Sequence, residues 1–211
     1  MAINLGTNIY TAPKNIKRTF MSSKQTFYAD ELHEHAAKIC REEFGQDVIN
    51  AAINNYKNGY VYTIGREIIG FVIWKIIINK IDSPFYPNPV PSKHLKILLI
   101  CAKKTGTTLG YTMLNDVENY CYQTNIPCME LHAINIQLEE YYKQYGFFTT
   151  QKFPIIIMWK PILKLLELKG PHKTRRNSRS NISAHDRKAI EFLRDNGHTL
   201  EEGLNYTLID E

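Results

Sequence analysis

Residues 94–103, His-Leu-Lys-Ile-Leu-Leu-Ile-Cys-Ala-Lys, are apolar at both parities of a period-two pattern. A strand of that kind is buried on both faces, so it belongs inside a sheet covered on two sides. It is followed at once by Lys104-Thr-Gly-Thr-Thr-Leu-Gly110-Tyr-Thr-Met-Leu114 and then by a helical pattern. In that pattern Met113, Leu114, Val117 and Tyr120 share one side, and the helix ends near Asn125-Ile-Pro127. A strand, a Gly/Thr-rich turn and a helix start together make an anion cradle, because unpaired backbone N–H groups and the helix dipole point the same way.

A second unit of related shape runs over residues 129–147. Met129, Leu131 and Ala133 alternate with Glu130, His132 and Ile134, the pattern of a half-buried strand. Asn135 stands at the strand exit, where a helix N-cap is wanted. Leu138, Tyr141, Tyr142 and Tyr145 fall at helical spacings, and Gly146 followed by Phe147 supplies the stop. Tyr142 lies seven residues after Asn135 on the same helical face, which directs it back toward the strand end.

Asn135, Leu138, Tyr142 and Gly146-Phe147 together resemble a signature of the GCN5-related N-acetyltransferase (GNAT) superfamily. The loop before it is similar to that family's pyrophosphate loop, Arg/Gln-x-x-Gly-x-Gly/Ala. Thr105, Thr108 and Gly110 occupy its three marked positions, with Gly106 beside the first. Two of the three depart from the pattern: Thr105 replaces Arg or Gln, and Thr108 replaces a glycine with a β-branched residue that narrows the loop. Lys103 or Lys104 lies close enough in sequence to lend charge.

The resemblance implies an α/β (α+β) chain of the GNAT fold. Its mixed sheet would have six to seven strands, splayed after the fourth and flanked by four helices, with a helical appendage at the C-terminal end. It also implies acetyl-CoA as co-substrate. Thr105, Gly106, Thr107, Thr108, Leu109 and Gly110 would hold the pyrophosphate. Ile100, Cys101 and Ala102 would pair with the pantetheine arm through their backbones, and Asn135 would line the opposite wall. Tyr142 would protonate the departing thiolate, and a backbone N–H near Ile100 would meet the oxyanion. For the base that takes the amine proton, the resemblance points to His132, because relatives that acetylate protein N-termini often use a histidine on that strand.

The remaining elements fall in a compatible order. Periodic Phe27, Leu32, Ala36 and Ile39 suggest a helix over 22–44, and a second runs over 46–58. Residues 60–79 read as a hairpin turning at Gly65-Arg66-Glu67. A proline-rich connection, 80–92, contains Phe85 and Tyr86. Strands over 147–153 and 155–160 flank Pro154. The chain thus divides into a leading segment 1–21, a core 22–161, a basic linker 162–182 and a helical extension 183–211. In the last, Ser183-Ala-His-Asp186 looks like a capping box, and the unit is small enough that it must pack on the core or on a second subunit.

Composition narrows the alternatives. A net charge of +5 with 22% charged and 44% hydrophobic residues describes an ordinary globular chain, with no span long enough for a bilayer and no secretory leader. An intracellular, cytoplasmic or nuclear, protein without a membrane partner is expected. Cys40, Cys101, Cys121 and Cys128 lack metal-ligand spacing, so reduced packing residues are expected and no metal. The short final loop near Phe153-Pro154 leaves an open cleft that suits a peptide or protein amine better than a small enclosed acceptor. The basic linker around Arg175-Arg176 reads as a solvated connector, or else as a nuclear-localisation or nucleic-acid patch. A degenerate GNAT-fold adaptor with weak or no catalysis is the alternative that the altered loop raises.

Overall fold

The computed structural model describes residues 15–23, 27–40, 44–79, 91–103, 108–166 and 182–196. Seven strands form one sheet: Ile16–Ser22 (β1), Asn58–Ile64 (β2), Glu67–Ile78 (β3), Lys93–Ala102 (β4), Cys128–Ala133 (β5), Phe148–Gln151 (β6) and Ile156–Pro161 (β7). Their order is β1-β2-β3-β4-β5-β7-β6, and only β4 and β5 run parallel. The helices are Phe27–Ile39 (α1), Gln46–Asn55 (α2), Leu109–Thr124 (α3), Ile136–Lys143 (α4) and Ala184–Asn196 (α5). The expected mixed sheet with flanking helices is therefore present.

The period-two pattern of β3 assigns its side chains to two cores. Val72 and Trp74 pack with Met113, Leu114 and Val117 of α3 and with Met129 and Leu131 of β5. Phe71 and Ile73 pack on the other face with Leu32 and Ala36 of α1 and Ile49 and Ile53 of α2. In β4, Leu95 and Ile97 join the first core, whereas Leu99 and Cys101 join the second. A register shift explains the change of side: Ile73 pairs with Leu99 and Trp74 with Ile97, so Leu98 is an extra residue in the strand.

Two differences from the sequence reading concern the N-terminal half. The sequence pattern starts the core at residue 22 with a helix, yet β1 pairs with β2 from Ile16↔Ile64 to Ser22↔Asn58. As an edge strand carrying exposed Lys17 and Arg18 it buries only Met21 fully, so its own pattern is faint. The helix expected over 22–44 occupies only Phe27–Ile39, and the one expected to reach 58 stops at Asn55, since Asn58 already starts β2.

The cysteine expectation is corrected in part. Cys40 and Cys101 form a disulfide, with Cα atoms 5.7 Å apart across 61 residues of sequence. That proximity is created by docking α1 over β4, and no local spacing announces it. Cys121 and Cys128 are free and buried, and burial pushes both thiols well up from their ordinary range.

Helix α5 packs on the sheet. Leu193 lies with Cys128, Phe148 and Trp159, while Ile190 joins the α3-side core. Its start is capped as the motif suggests, Asp186 N–H donating to Ser183 Oγ at 3.0 Å. The Asp186 carboxylate in turn accepts from Ser92 N–H at 2.7 Å and Ser92 Oγ at 2.9 Å, tying α5 to the entry of β4. Most of the proline-rich connection, the Arg175-Arg176 linker and the tail after Asn196 lie outside the described residues. Among the described residues no helix is long and apolar enough to cross a membrane.

Gly70 marks a close approach between β3 and β4. A Cβ there would sit 2.8 Å from the Cys101 carbonyl oxygen and against the Met113 methyl. Gly70→Ala is expected to destabilise the protein by about 2 kcal/mol through overpacking, read as a melting temperature lower by roughly 4–8 °C. A melting curve superimposable on the parent's would show that the two strands separate at no cost.

Candidate active site at a fork between two strands

The parallel ladder of β4 and β5 has two rungs, Leu95↔Met129 and Lys96↔Glu130. Above them the strands diverge: β4 stays paired with β3 as far as Gly70↔Ala102, and β5 with β7 as far as Ala133↔Ile156. Each strand thus turns an open edge to the gap, and an open edge accepts an extended chain as an added strand. Ile100, Cys101 and Ala102 lie on this stretch of β4. The Cys101 side chain is held by Cys40, so its part in any such pairing would be main-chain.

Both helices that leave the fork start at its rim. Thr108 precedes α3 without a side-chain cap, its carbonyl accepting from Thr112 N–H at 2.9 Å and Thr112 Oγ1 at 3.0 Å. The N–H groups of the first turn, at Leu109 and Gly110, point out of the helix start as any first turn's must. Leu109 is buried in the core, while Gly110 lies beneath the Tyr141 hydroxyl, which leaves no room for a Cβ. Thr105, Gly106, Thr107 and Lys104 lie outside the described residues. Lys103 is paired with Glu67 on the hairpin.

Asn135 caps α4, its side-chain oxygen accepting from Leu138 N–H at 2.8 Å. Its place at the β5 exit agrees with the sequence reading, but its carbonyl oxygen is committed to the helix. Tyr142 is 6% exposed in the α3-side core, its ring 6.0 Å from Phe147 and 5.4 Å from Tyr141. Tyr141 is the tyrosine that reaches across to α3. Burial, and then its contact with the Tyr145 hydroxyl, push its own hydroxyl well above the ordinary tyrosine range.

His132 projects from the opposite face of β5, into a polar cluster at the base of the fork. Glu130 Oε1 is 2.6 Å from Lys96 Nζ and 3.0 Å from His132 Nε2, and Glu130 Oε2 is 2.8 Å from His94 Nε2. Lys96 Nζ is also 2.9 Å from His132 Nε2. His94 is fully buried with its ring 4.7 Å from Trp159, whereas the His132 side chain is 32% exposed. Burial alone would raise the Glu130 carboxyl, but the two histidine contacts and the Lys96 charge outweigh it and hold the group far below the usual carboxylate range.

The structure therefore gathers His132, Glu130, His94 and Lys96 on one side of β5, while Tyr142 lies in the core on the other. Lys96 was not singled out from the sequence, although a lone lysine inside a doubly buried strand needs a carboxylate partner. Glu130, on the strand expected beside it, was the available one.

A mixed sheet forked between a parallel pair, with a helix starting on each side of the gap, defines the GNAT acetyltransferase fold. No family model matches the sequence, and no curated protein does. Three solved structures share the fold. The ribosomal-protein-S18-alanine N-acetyltransferase from Escherichia coli aligns with a TM-score of 0.51 at 12% identity, over 76% of this chain and 100% of that one. A GNAT-family acetyltransferase from Desulfovibrio desulfuricans gives 0.51 at 12% identity, over 69% and 99%. An N-acetyltransferase from Lactobacillus plantarum gives 0.50 at 16% identity, over 70% and 99%.

Proposed function

We propose that this chain is an acetyl-CoA-dependent N-acetyltransferase that acetylates a primary amine, preferably of a peptide or protein, by direct attack within a ternary complex. The observation that carries the reading is the fork. Its two facing strand edges suit an extended arm bearing amides, and its rim places the first turn of α3 where a pyrophosphate would gain from free N–H groups and the helix dipole. Among the described residues, the Tyr141 side chain is what lies over Gly110.

In this reading the amine nitrogen attacks the thioester carbonyl carbon, forming the C–N bond. His132 takes the amine proton, a β4 N–H near Ile100 meets the oxyanion, and the C–S bond breaks as Tyr142 protonates the leaving thiolate. The N-acetylated product of the E. coli structural neighbour is a ribosomal protein, which fits the preference for a polypeptide acceptor drawn from the short final loop.

Calorimetric titration with acetyl-CoA is expected to give saturable binding in the micromolar range, the usual span for substrates. No detectable heat at millimolar ligand would sink the enzyme reading and favour the adaptor reading raised by Thr105 and Thr108. Thiol release measured against peptides, histones and polyamines then ranks the acceptors.

A further inference from the structure

We propose that Glu130 is a positioning residue that fixes His132 in the tautomer protonated at Nε2, so that Nδ1 accepts the amine proton. The inference rests on the reading of His132 as base given above. His132 Nε2 faces two charged groups at nearly equal range, Glu130 Oε1 at 3.0 Å and Lys96 Nζ at 2.9 Å. An ammonium only donates and a carboxylate only accepts, so Nε2 either carries a proton for Glu130 or offers a lone pair to Lys96.

Burial decides between them. The Glu130 side chain is 3% exposed, and a buried carboxylate needs every donor its surroundings offer. The Lys96 side chain is 25% exposed and already donates to Glu130 at 2.6 Å, so it loses little without His132.

Among the described residues, no other charge faces the ring from the neighbouring strand on that side. On β7, Ile157 stands opposite His132 and Trp159 opposite Glu130. On β4 the titratable neighbours are His94 and Lys96. On α5, Asp186 is engaged by Ser92 and Ser183. His94, fully buried against Trp159, stands with its Nε2 2.8 Å from the far oxygen, Glu130 Oε2.

The test is nitrogen-15 spectroscopy of the imidazoles in the full chain, recorded in alkaline buffer without acetyl-CoA, joined to steady-state kinetics of Glu130→Gln. A His132 ring protonated at Nε2 supports the proposal, and one protonated at Nδ1 overturns it. The unsubstituted protein gives this result, so it is obtained even if Glu130→Gln fails to fold. In the variant, kcat is expected to fall about 10²-fold with KM for the acceptor little changed. A kcat equal to the parent's would overturn the positioning role. Because the spectrum needs no cofactor, a failed acetyl-CoA titration would count against the functional reading without being mistaken for a wrong tautomer.

Discussion

Replacing Tyr142 by phenylalanine is expected to lower kcat for acetyl transfer about 10²-fold, the scale of a lost general acid, while acetyl-CoA affinity stays near the parent's. The side chain is 6% exposed and packed edge-on to Tyr141 and Phe147, so the phenyl ring keeps the same space and these two ring contacts. Only the hydroxyl is removed, and the ring stays seated in the core. The effect then falls on thiolate departure, which shows as lower kcat at unchanged affinity. Thiol release under saturating substrates, paired with calorimetry, separates the two. Turnover as fast as the parent's would remove Tyr142 from the acid role, and Tyr141, whose hydroxyl lies at Gly110, would be examined next.

The second large effect is on stability. Lys96→Met removes the ammonium 2.6 Å from a carboxylate whose side chain is 3% exposed. Breaking a buried pair from one side costs about 3 kcal/mol, because the remaining charge loses its partner, which for a chain of this size lowers the melting temperature by roughly 6–12 °C. The same cluster sets an acid limit. Glu130 binds its proton less readily folded than unfolded, so its stabilisation is full above the unfolded glutamate value and is lost as pH falls from there toward the lower folded value.

Glu139 acts in the same direction: burial would raise its carboxyl, but Thr149 Oγ1 donating at 2.7 Å, with Lys143 and Lys152 nearby, brings it below its ordinary value. The parent should therefore lose melting temperature steadily as pH drops below about 4.3, and Glu130→Gln should lose less. A Lys96→Met protein that melts with the parent at neutral pH would show that Lys96 is not the counter-charge.

Much of the site was readable residue by residue. The alternation from Met129 to Ile134, the Asn135 cap and the Gly146 stop are local events, each governed by neighbours within four positions, and they appear as β5, α4 and its cap. The capping box at Ser183 is of the same kind. What escaped were features made by residues far apart. β1 owes its strand to the ladder that β2 offers, the Cys40–Cys101 disulfide to α1 lying over β4, and the reach of Tyr141 to the packing of α4 beside α3.

The fork shows the division most plainly. Its two strands, their helices and the polarity of His132, Glu130 and Lys96 are written in the chain, because burial and periodicity act locally. Where β4 and β5 part, after Lys96↔Glu130, and which oxygen meets which nitrogen there, follow from how seven strands and two cores settle together. Lys96 and Glu130 are 34 residues apart in sequence and 2.6 Å apart in the fold. Only the assembled sheet makes them one group, since the low dielectric that couples them exists only after both are buried.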